Sequence, residues 1–528
     1  MKTAFRIVGV ALLYMIAAAH VGSPDTWFEG KAGAYPVTVQ IVPAGVVPGV
    51  ARVLVRIAGD QPERVTVQAN RFDATGGAPP PEVARPVEGE TGLFAGNLWI
   101  MTGGSNSVTV EVAGARGRGS AVVPIVASAT RRLEMDVPMG IGLAAMGILL
   151  FAGLVTIMGA AVRESTLPPG ETVGTGNHRR ARNAMLATTV VAAALVFGGW
   201  TWWNAEDEGF VDSMFKPLKS QASVRTGPSG AVLHLAIVDS PWVMRGDSAW
   251  LSRNRASAWT PLMQDHGKLM HLFLVRNDLS AFAHLHPSSV DSVSFLANLP
   301  PLPAGQYRVF ADIVHESGFT QTMVSSLNLP TPAAPMSKTP ATEVSGVAAS
   351  AAAPASGASQ DDSWLAGPVD KQATTATLAE GIAVTWNRSP GRILAGVPAG
   401  LRFTVTDRNG GPAQLEPYMG MAGHSVVARD DGSVFVHLHP VGTISMASQM
   451  AFAMREPGDT VRGRLGKRIA AAVMPDMAHD SVTSNIVSFP YAFPKAGNYR
   501  VWVQVKHQGT ILTAAFHAAV EDGAERAR

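Results

Sequence analysis

The sequence predicts a mainly β protein: three immunoglobulin-like β-sandwich domains plus a two-helix transmembrane hairpin. Three observations lead there. Short runs of alternating apolar and polar residues recur between Gly/Pro turns over residues 22–133, 223–329 and 370–522, at the spacing of sandwich strands. Two uncharged stretches, 137–162 and 184–203, are long enough to span a bilayer. The last two β segments also repeat each other's residues at equal offsets, which marks a duplicated unit.

The elements follow in chain order. Residues 1–19 read as a signal peptide: Lys2 and Arg6 form a positive start, Ile7 to Ala19 is apolar, and Ala17-Ala18-Ala19 offers a cleavage site. The 22–133 segment carries strand runs such as Val37 to Val42, Val53 to Ile57 and Val108 to Val112. Transmembrane helix 1 is expected at 137–162, a cytoplasmic loop at 163–183 and transmembrane helix 2 at 184–203, which ends in the interfacial cluster Trp200, Trp202 and Trp203. The loop holds Arg163, Arg179, Arg180 and Arg182, whereas the flank after the second helix holds Glu206, Asp207 and Glu208. The positive-inside bias therefore places the loop in the cytoplasm and the large domains outside, facing the periplasm from a bacterial inner membrane. Residues 330–365 are rich in Ala, Pro and Ser and read as a flexible linker between sandwich repeat 1 (223–329) and sandwich repeat 2 (370–522).

Composition excludes whole classes of chemistry. With no cysteine there are no disulfides, thiolate metal sites, iron–sulfur clusters or Cys nucleophiles. The balance of 42 Lys+Arg against 40 Asp+Glu gives no net basic field, so nucleic acid is not an expected partner. No G-x-S-x-G elbow, Walker loop or H-E-x-x-H motif is present, and no catalytic residue is assigned. The membrane segments carry no charge and read as an anchor, which makes the membrane the one clear partner.

The repeats share the pattern H-x12-H-x-H-P: His271, His284, His286 and Pro287 in the first, His424, His437, His439 and Pro440 in the second. Further on, Ala304-Gly305-Gln306-Tyr307-Arg308-Val309 answers Ala496-Gly497-Asn498-Tyr499-Arg500-Val501. Read as a β-hairpin with a two-residue tip at Asn277-Asp278 or Asp430-Asp431, the pattern sets His271 opposite His284 and His424 opposite His437. Strand alternation puts the third histidine on the same face, so three imidazoles converge in each repeat while Ala283, Leu285, Val436 and Leu438 face a core. Converging neutral imidazoles suit Cu(II), Zn(II) or Ni(II). Met419 and Met421, just before His424, are candidate auxiliary thioether ligands. Met446, Met450, Met454, Met474 and Met477 enrich the same repeat. Methionine with histidine favours copper, with zinc as the alternative. Repeat 1 has His266 and Lys268 where repeat 2 has Met419 and Met421.

A second reading stands beside this one. The histidines are then inherited packing residues, the methionines fill core gaps, and the protein is a non-enzymatic envelope scaffold or partner-binding module. A subunit of a membrane copper oxidoreductase is a third. His315 and His507 share strand parity with Tyr307 and Tyr499, which puts them on the core face, and those tyrosines read as sandwich-corner residues. His234 and His517 read as strand residues, His479 as a lone candidate on a long insert, and Asp361-Asp362 as solvated linker carboxylates.

The run from Met419 to Pro440, with Asp431-Gly432-Ser433-Val434-Phe435-Val436-His437-Leu438-His439-Pro440, resembles the YtkA-like sandwich domains of bacterial exported proteins, and Met270 to Pro287 looks like a second copy. The resemblance covers the two C-terminal segments and loosely the first. It implies an exported β-sandwich and an association with copper or other metal handling, with a periplasmic metalloprotein or envelope component as partner. The layout of sandwich, two transmembrane helices and further sandwich is also similar to the copper-bearing subunit of membrane-bound methane and ammonia monooxygenases. That family's H-x-H ligands lie in the first sandwich, where this chain has no histidine, so the layout alone does not carry the activity.

Overall fold

The computed structural model describes residues 25–59, 61–72, 78–165, 167–227, 230–239, 242, 260–291, 293–330, 359–456, 459, 463–472 and 484–523. The signal segment, most of the linker, Met474, Met477 and His479 lie outside the described residues. The chain is mainly β, in several sheets, and forms two compact units: residues 128–215, and residues 1–127 together with 216–528.

The smaller unit is a pair of helices, α1 (Val137–Glu164) and α2 (Thr175–Ser213), both long and apolar enough to cross a membrane. They extend beyond the uncharged stretches. Arg179, Arg180 and Arg182 lie within the first turns of α2 and Glu206 to Glu208 near its end, so the non-helical connection is shorter than 163–183. The backbone ladder continues through these residues because Arg, Ala and Glu are good helix formers. Gly159 is buried against Met185, where a β-carbon would lie 2.7 Å from the Met185 side chain.

In the larger unit, the first β segment is a path of eight antiparallel strands in which Glu82–Pro86 pairs at one end with Leu93–Ile100 and at the other with Arg64–Arg71, joining two sheets. Its order is Thr26–Ala32, Tyr35–Val42, Gly49–Ile57, Leu93–Ile100, Glu82–Pro86, Arg64–Arg71, Gly104–Gly114, Gly117–Ala127. Strict alternation on strands such as Tyr35–Val42 sends Val37, Val39 and Ile41 into a core shared with Val53, Val55, Val108 and Val110.

Each C-terminal repeat pairs a four-stranded sheet with a larger one. In the first, Gly305–His315, His271–Arg276 and Ala281–Leu285 form the centre of a six-stranded sheet. In the second, Gly497–His507, His424–Arg429 and Phe435–Leu438 form the equivalent part of a five-stranded sheet. The duplication extends to single contacts. Tyr307 donates its hydroxyl to Pro303 O at 2.7 Å and Tyr499 donates to Lys495 O at 2.7 Å, the corner role expected of them, and burial raises both phenols to about 12. Gly305 (φ 137°) and Gly497 (φ 141°) face Arg276 and Arg429, which reach past them to Ala304 O and Ala496 O. A β-carbon at either glycine would meet the guanidinium and strain the backbone.

One linker expectation is corrected. The stretch 330–365 does not stay outside the fold to its end: Ser363–Ala366 is a strand that pairs with Ala281–Leu285 and closes the edge of the first histidine sheet. Leu365 is buried by that pairing, which gives the segment an apolar reason to dock.

The two large sheets pack face to face. Phe310 stacks on Phe435 at 3.9 Å and Phe282 on Trp502 at 4.7 Å, with Val426, Ala428 and Phe273 filling the layer. Both hairpins are therefore buried on both faces, one against the repeat's own core and one against the other repeat.

Candidate metal centre

The hairpin register differs by two residues from the one expected. Phe273 lies opposite His284 and Val426 opposite His437, which leaves His271 facing His286 and His424 facing His439 across the strand ends. The connection is longer than two residues because Leu279 and Gly432 take positive φ and extend each turn. A shift of two keeps the strand parity, so the three histidines of each repeat still share one face. That face is the one buried between the repeats.

The consequence is a single cluster of seven imidazoles at the seam. Ring separations repeat across it: His271–His286 and His424–His439 are each 5.1 Å, His284–His286 and His437–His439 each 4.5 Å, His271–His284 and His424–His437 each 5.4 Å. The two trios touch, with His271 5.3 Å and His284 5.5 Å from His437. The seventh member is His266, 5.3 Å from His439 and 5.6 Å from His424. It stands at φ 52° with Gly267 at 77° in a turn closed by reciprocal Asp265–Lys268 backbone bonds of 2.8 and 2.9 Å. Met419 (φ 50°) and Gly420 (φ 78°) form the same turn in repeat 2.

Two sets of three offer ligand nitrogens all within 4.8 Å of one another: His271, His284 and His286, and His266, His424 and His439. The second set is regrouped relative to the sequence pattern, since His266 stands where His437 was expected and His437 lies between the sets. Met419 is half-buried and Met421 buried, and both sets close from imidazoles alone.

Hydrogen-bonding groups surround the ring nitrogens of the first set, and the tautomers below are those in which the outer nitrogens carry the protons. His286 Nδ1–H donates to Asp362 Oδ1 at 3.0 Å, His284 Nδ1–H to Gln504 Oε1 at 2.9 Å, and His271 Nε2–H to Asp265 O at 3.4 Å. The Gln504 amide nitrogen in turn donates to Ser363 Oγ, which fixes its oxygen toward His284. His271 Nδ1 and His284 Nε2 lie 3.2 Å apart. Two imidazole nitrogens on one tetrahedral ion, bound at about 2.0–2.1 Å, lie about 3.3 Å apart. The pair therefore fits one shared cation, and the outward bonds are those that orient histidine ligands in metal sites.

In the second set His439 Nδ1–H donates to Ile444 O at 3.0 Å. That loop is held by the first β segment: Glu29 N–H donates to Val441 O at 2.8 Å, Phe28 bridges Gly442, and Ile444 enters the first core. His439 Nε2 and both ring nitrogens of His424 and His266 are buried without a hydrogen-bond partner. Buried unpaired polar atoms of this kind each cost about 1–3 kcal/mol, and one nitrogen of each ring could be satisfied by a cation.

Burial dominates the electrostatics. It holds His271, His284, His424 and His439 well below the ordinary imidazole value and brings His437 to about 3, with neighbouring imidazoles adding to the effect, and it lowers His286 against the opposing pull of Asp362. These six imidazoles are thus held in the neutral form, the one that binds metals. Asp312, 3.4 Å from His437 Nδ1, is raised by burial to about 7.

Other expectations resolve as follows. Asp361 and Asp362 are not solvated: Asp361 pairs with Lys268 at 2.9 Å and Asp362 holds His286, because the docked strand carries them to the site. His315 is buried and bonded to Thr260 O and the Gln321 amide, away from the cluster. His507 is half-buried rather than in the core, with its ring on Gln414 O. His234 and His517 are half-buried strand residues. Met446, Met450 and Met454 lie on helix α3 (Met446–Met454), the last two packed against a small core with Phe72 and Met263. Sequence reasoning missed His266, whose only signal was its repeat equivalence to Met419, and the supporting residues Asp362, Gln504 and Asp312.

A family described as a domain of unknown function (DUF8832), rather than a YtkA-like one, matches over residues 248–328 and 376–522, segments that contain all seven clustered histidines. No curated protein matches the sequence. Among solved structures, a membrane-anchored protein from Corynebacterium diphtheriae is 8% identical, with 94% of this chain and 96% of that one covered and a TM-score of 0.14. The α-2-macroglobulin of Escherichia coli is 8% identical over 94% of this chain and 31% of that one, with a TM-score of 0.17. PorU from Porphyromonas gingivalis is 9% identical over 94% and 34%, with a TM-score of 0.12.

Proposed function

We propose that this chain is a membrane-anchored metal-binding protein of the bacterial envelope that holds copper through imidazoles at the seam of its two C-terminal repeats, for sequestration or delivery. The observation that carries the reading is the convergence of three imidazole nitrogens within 4.8 Å, His271 Nδ1 and His284 Nε2 3.2 Å apart and His286 completing the set, with each outer nitrogen against a fixed oxygen. His271, His284 and His286 would hold the ion. Asp362, Gln504 and the Asp265 carbonyl keep the ligand nitrogens deprotonated and aimed. Copper is favoured over zinc because imidazole serves both copper oxidation states, no thiolate competes, and the second repeat is rich in methionine. Arg163 at the end of α1 and Arg179, Arg180 and Arg182 at the start of α2 favour a periplasmic position for the centre.

The test is a titration of the metal-free full chain in detergent micelles with Cu(I), Cu(II) and Zn(II), beside His284→Ala/His286→Ala. Stoichiometric submicromolar binding, weakened at least 100-fold in the variant, is expected, with copper bound more tightly than zinc. Tighter zinc would replace the metal named here. Absence of binding above the variant's level would refute the reading and favour a scaffold with structural histidines.

A further inference from the structure

We infer that the seam holds two metal ions in unequal sites, an anchored one at His271, His284 and His286 and an exchangeable one at His266, His424 and His439, with His437 between them as a shared ligand. This rests on the metal-binding reading above and goes beyond it in number, rank and route. The two sets are distinct in space, each closing within 4.8 Å, yet neighbouring rings across the boundary are only 6.1 and 6.2 Å apart, for His266–His271 and His284–His424.

Their supports differ. Every imidazole of the anchored set already has its other nitrogen against a fixed acceptor, one of them the carboxylate of Asp362. In the exchangeable set only His439 is so tied, whereas both nitrogens of His424 lack a hydrogen-bond partner and His266 has only the Asp265 carboxylate, 3.8 Å from its Nε2. A ligand with no outer partner must be ordered by the metal itself, and outer partners are worth about 10–100-fold in affinity. Access differs in the same direction. The His266 ring is fully buried, but the turn that carries it reaches the surface at Gly267.

His437 is the link. Its Nε2 is buried and unpartnered, its Nδ1 faces Asp312 at 3.4 Å, and its ring lies 4.5 Å from His439, 5.4 Å from His424 and 5.3 Å from His271. An imidazole so placed can ligate an ion in either set, so an ion can pass between them without entering water. Transfer is a ligand exchange with no change of oxidation state.

The experiment counts ions by elemental analysis and ranks them by chelator competition on the full chain in detergent, with Zn(II) and Cu(II) as probes. Two ions per chain with affinities at least tenfold apart are expected. His266→Gln/His424→Gln should keep one ion, the tighter, and Asp362→Asn should weaken the tight site about 10–100-fold while leaving the other. A single ion in the unaltered chain, or loss of both ions together in His266→Gln/His424→Gln with an unchanged circular dichroism spectrum, would overturn the inference. Equal affinities would overturn the ranking. Absence of any ion would instead remove the metal reading itself, so the two failures are separable.

Discussion

Acidification of the metal-free protein is the perturbation whose size follows most directly from the structure. Six imidazoles, those of His271, His284, His286, His424, His437 and His439, are held below their ordinary value of 6.5 in the folded state. The unfolded chain therefore binds more protons than the folded one once the pH falls below about 6.5, and stability is lost in that direction. Asp312 acts oppositely: with its folded value near 7 it takes a proton on folding between pH 7 and its ordinary 3.8, which offsets one imidazole. Counting only the five imidazoles other than His286, the net difference approaches four protons at pH 5.5, or about 5 kcal/mol per pH unit at about 1.36 per proton. A domain stability of about 5–15 kcal/mol would then be exhausted within about one to three pH units. The assay is the urea midpoint of the chelator-stripped full chain in micelles at pH 7.5, 6.5, 5.5 and 5.0, followed by fluorescence of the tryptophans, Trp502 lying in the seam. A midpoint that is level above 6.5 and falls steeply below it is expected, and saturating metal should move the fall to lower pH because it competes with protons for the same nitrogens. A midpoint unchanged from pH 7.5 to 5.0 would refute the claim that the fold buries these imidazoles neutral.

Other outcomes follow from single contacts. Phe435→Ala removes the stack on Phe310 at 3.9 Å and should cost about 3–5 kcal/mol, read as a lowered urea midpoint with loss of metal binding, because that stack holds the two histidine faces together. Gly497→Ala places a β-carbon 2.5 Å from Arg429 Nε at a φ of 141°, and should lower the thermal midpoint by more than a surface Gly→Ala change such as that at Gly509. Tyr307→Phe and Tyr499→Phe should each cost about 1 kcal/mol through the lost bond to a carbonyl, and ultraviolet titration of the parent should find both phenols ionising only near pH 12.

What the sequence determined by itself is local and periodic. Strand alternation put His271, His284 and His286 on one face, and the same parity in the second repeat did so for His424, His437 and His439, because a side chain's face depends only on whether its offset is odd or even. The duplication was legible for the same reason: equal offsets report equal local geometry, down to Tyr307 and Tyr499 or Gly305 and Gly497. The two apolar stretches announced membrane-length helices from composition alone. The loop length of each hairpin was not legible, because positive φ at Leu279 and Gly432 depends on turn context, so the pairing came out two residues displaced. What only the tertiary structure decided is which surface each face meets. No local signal says that the two histidine faces pack on each other, that residues 363–366 return to bring Asp362 to His286, or that His266 joins His424 and His439. Those contacts lie far apart in sequence and arise from the burial of Phe273, Phe310, Phe435 and Trp502 in a shared layer, and burial between repeats follows from the shape of both partners rather than from the pattern of either.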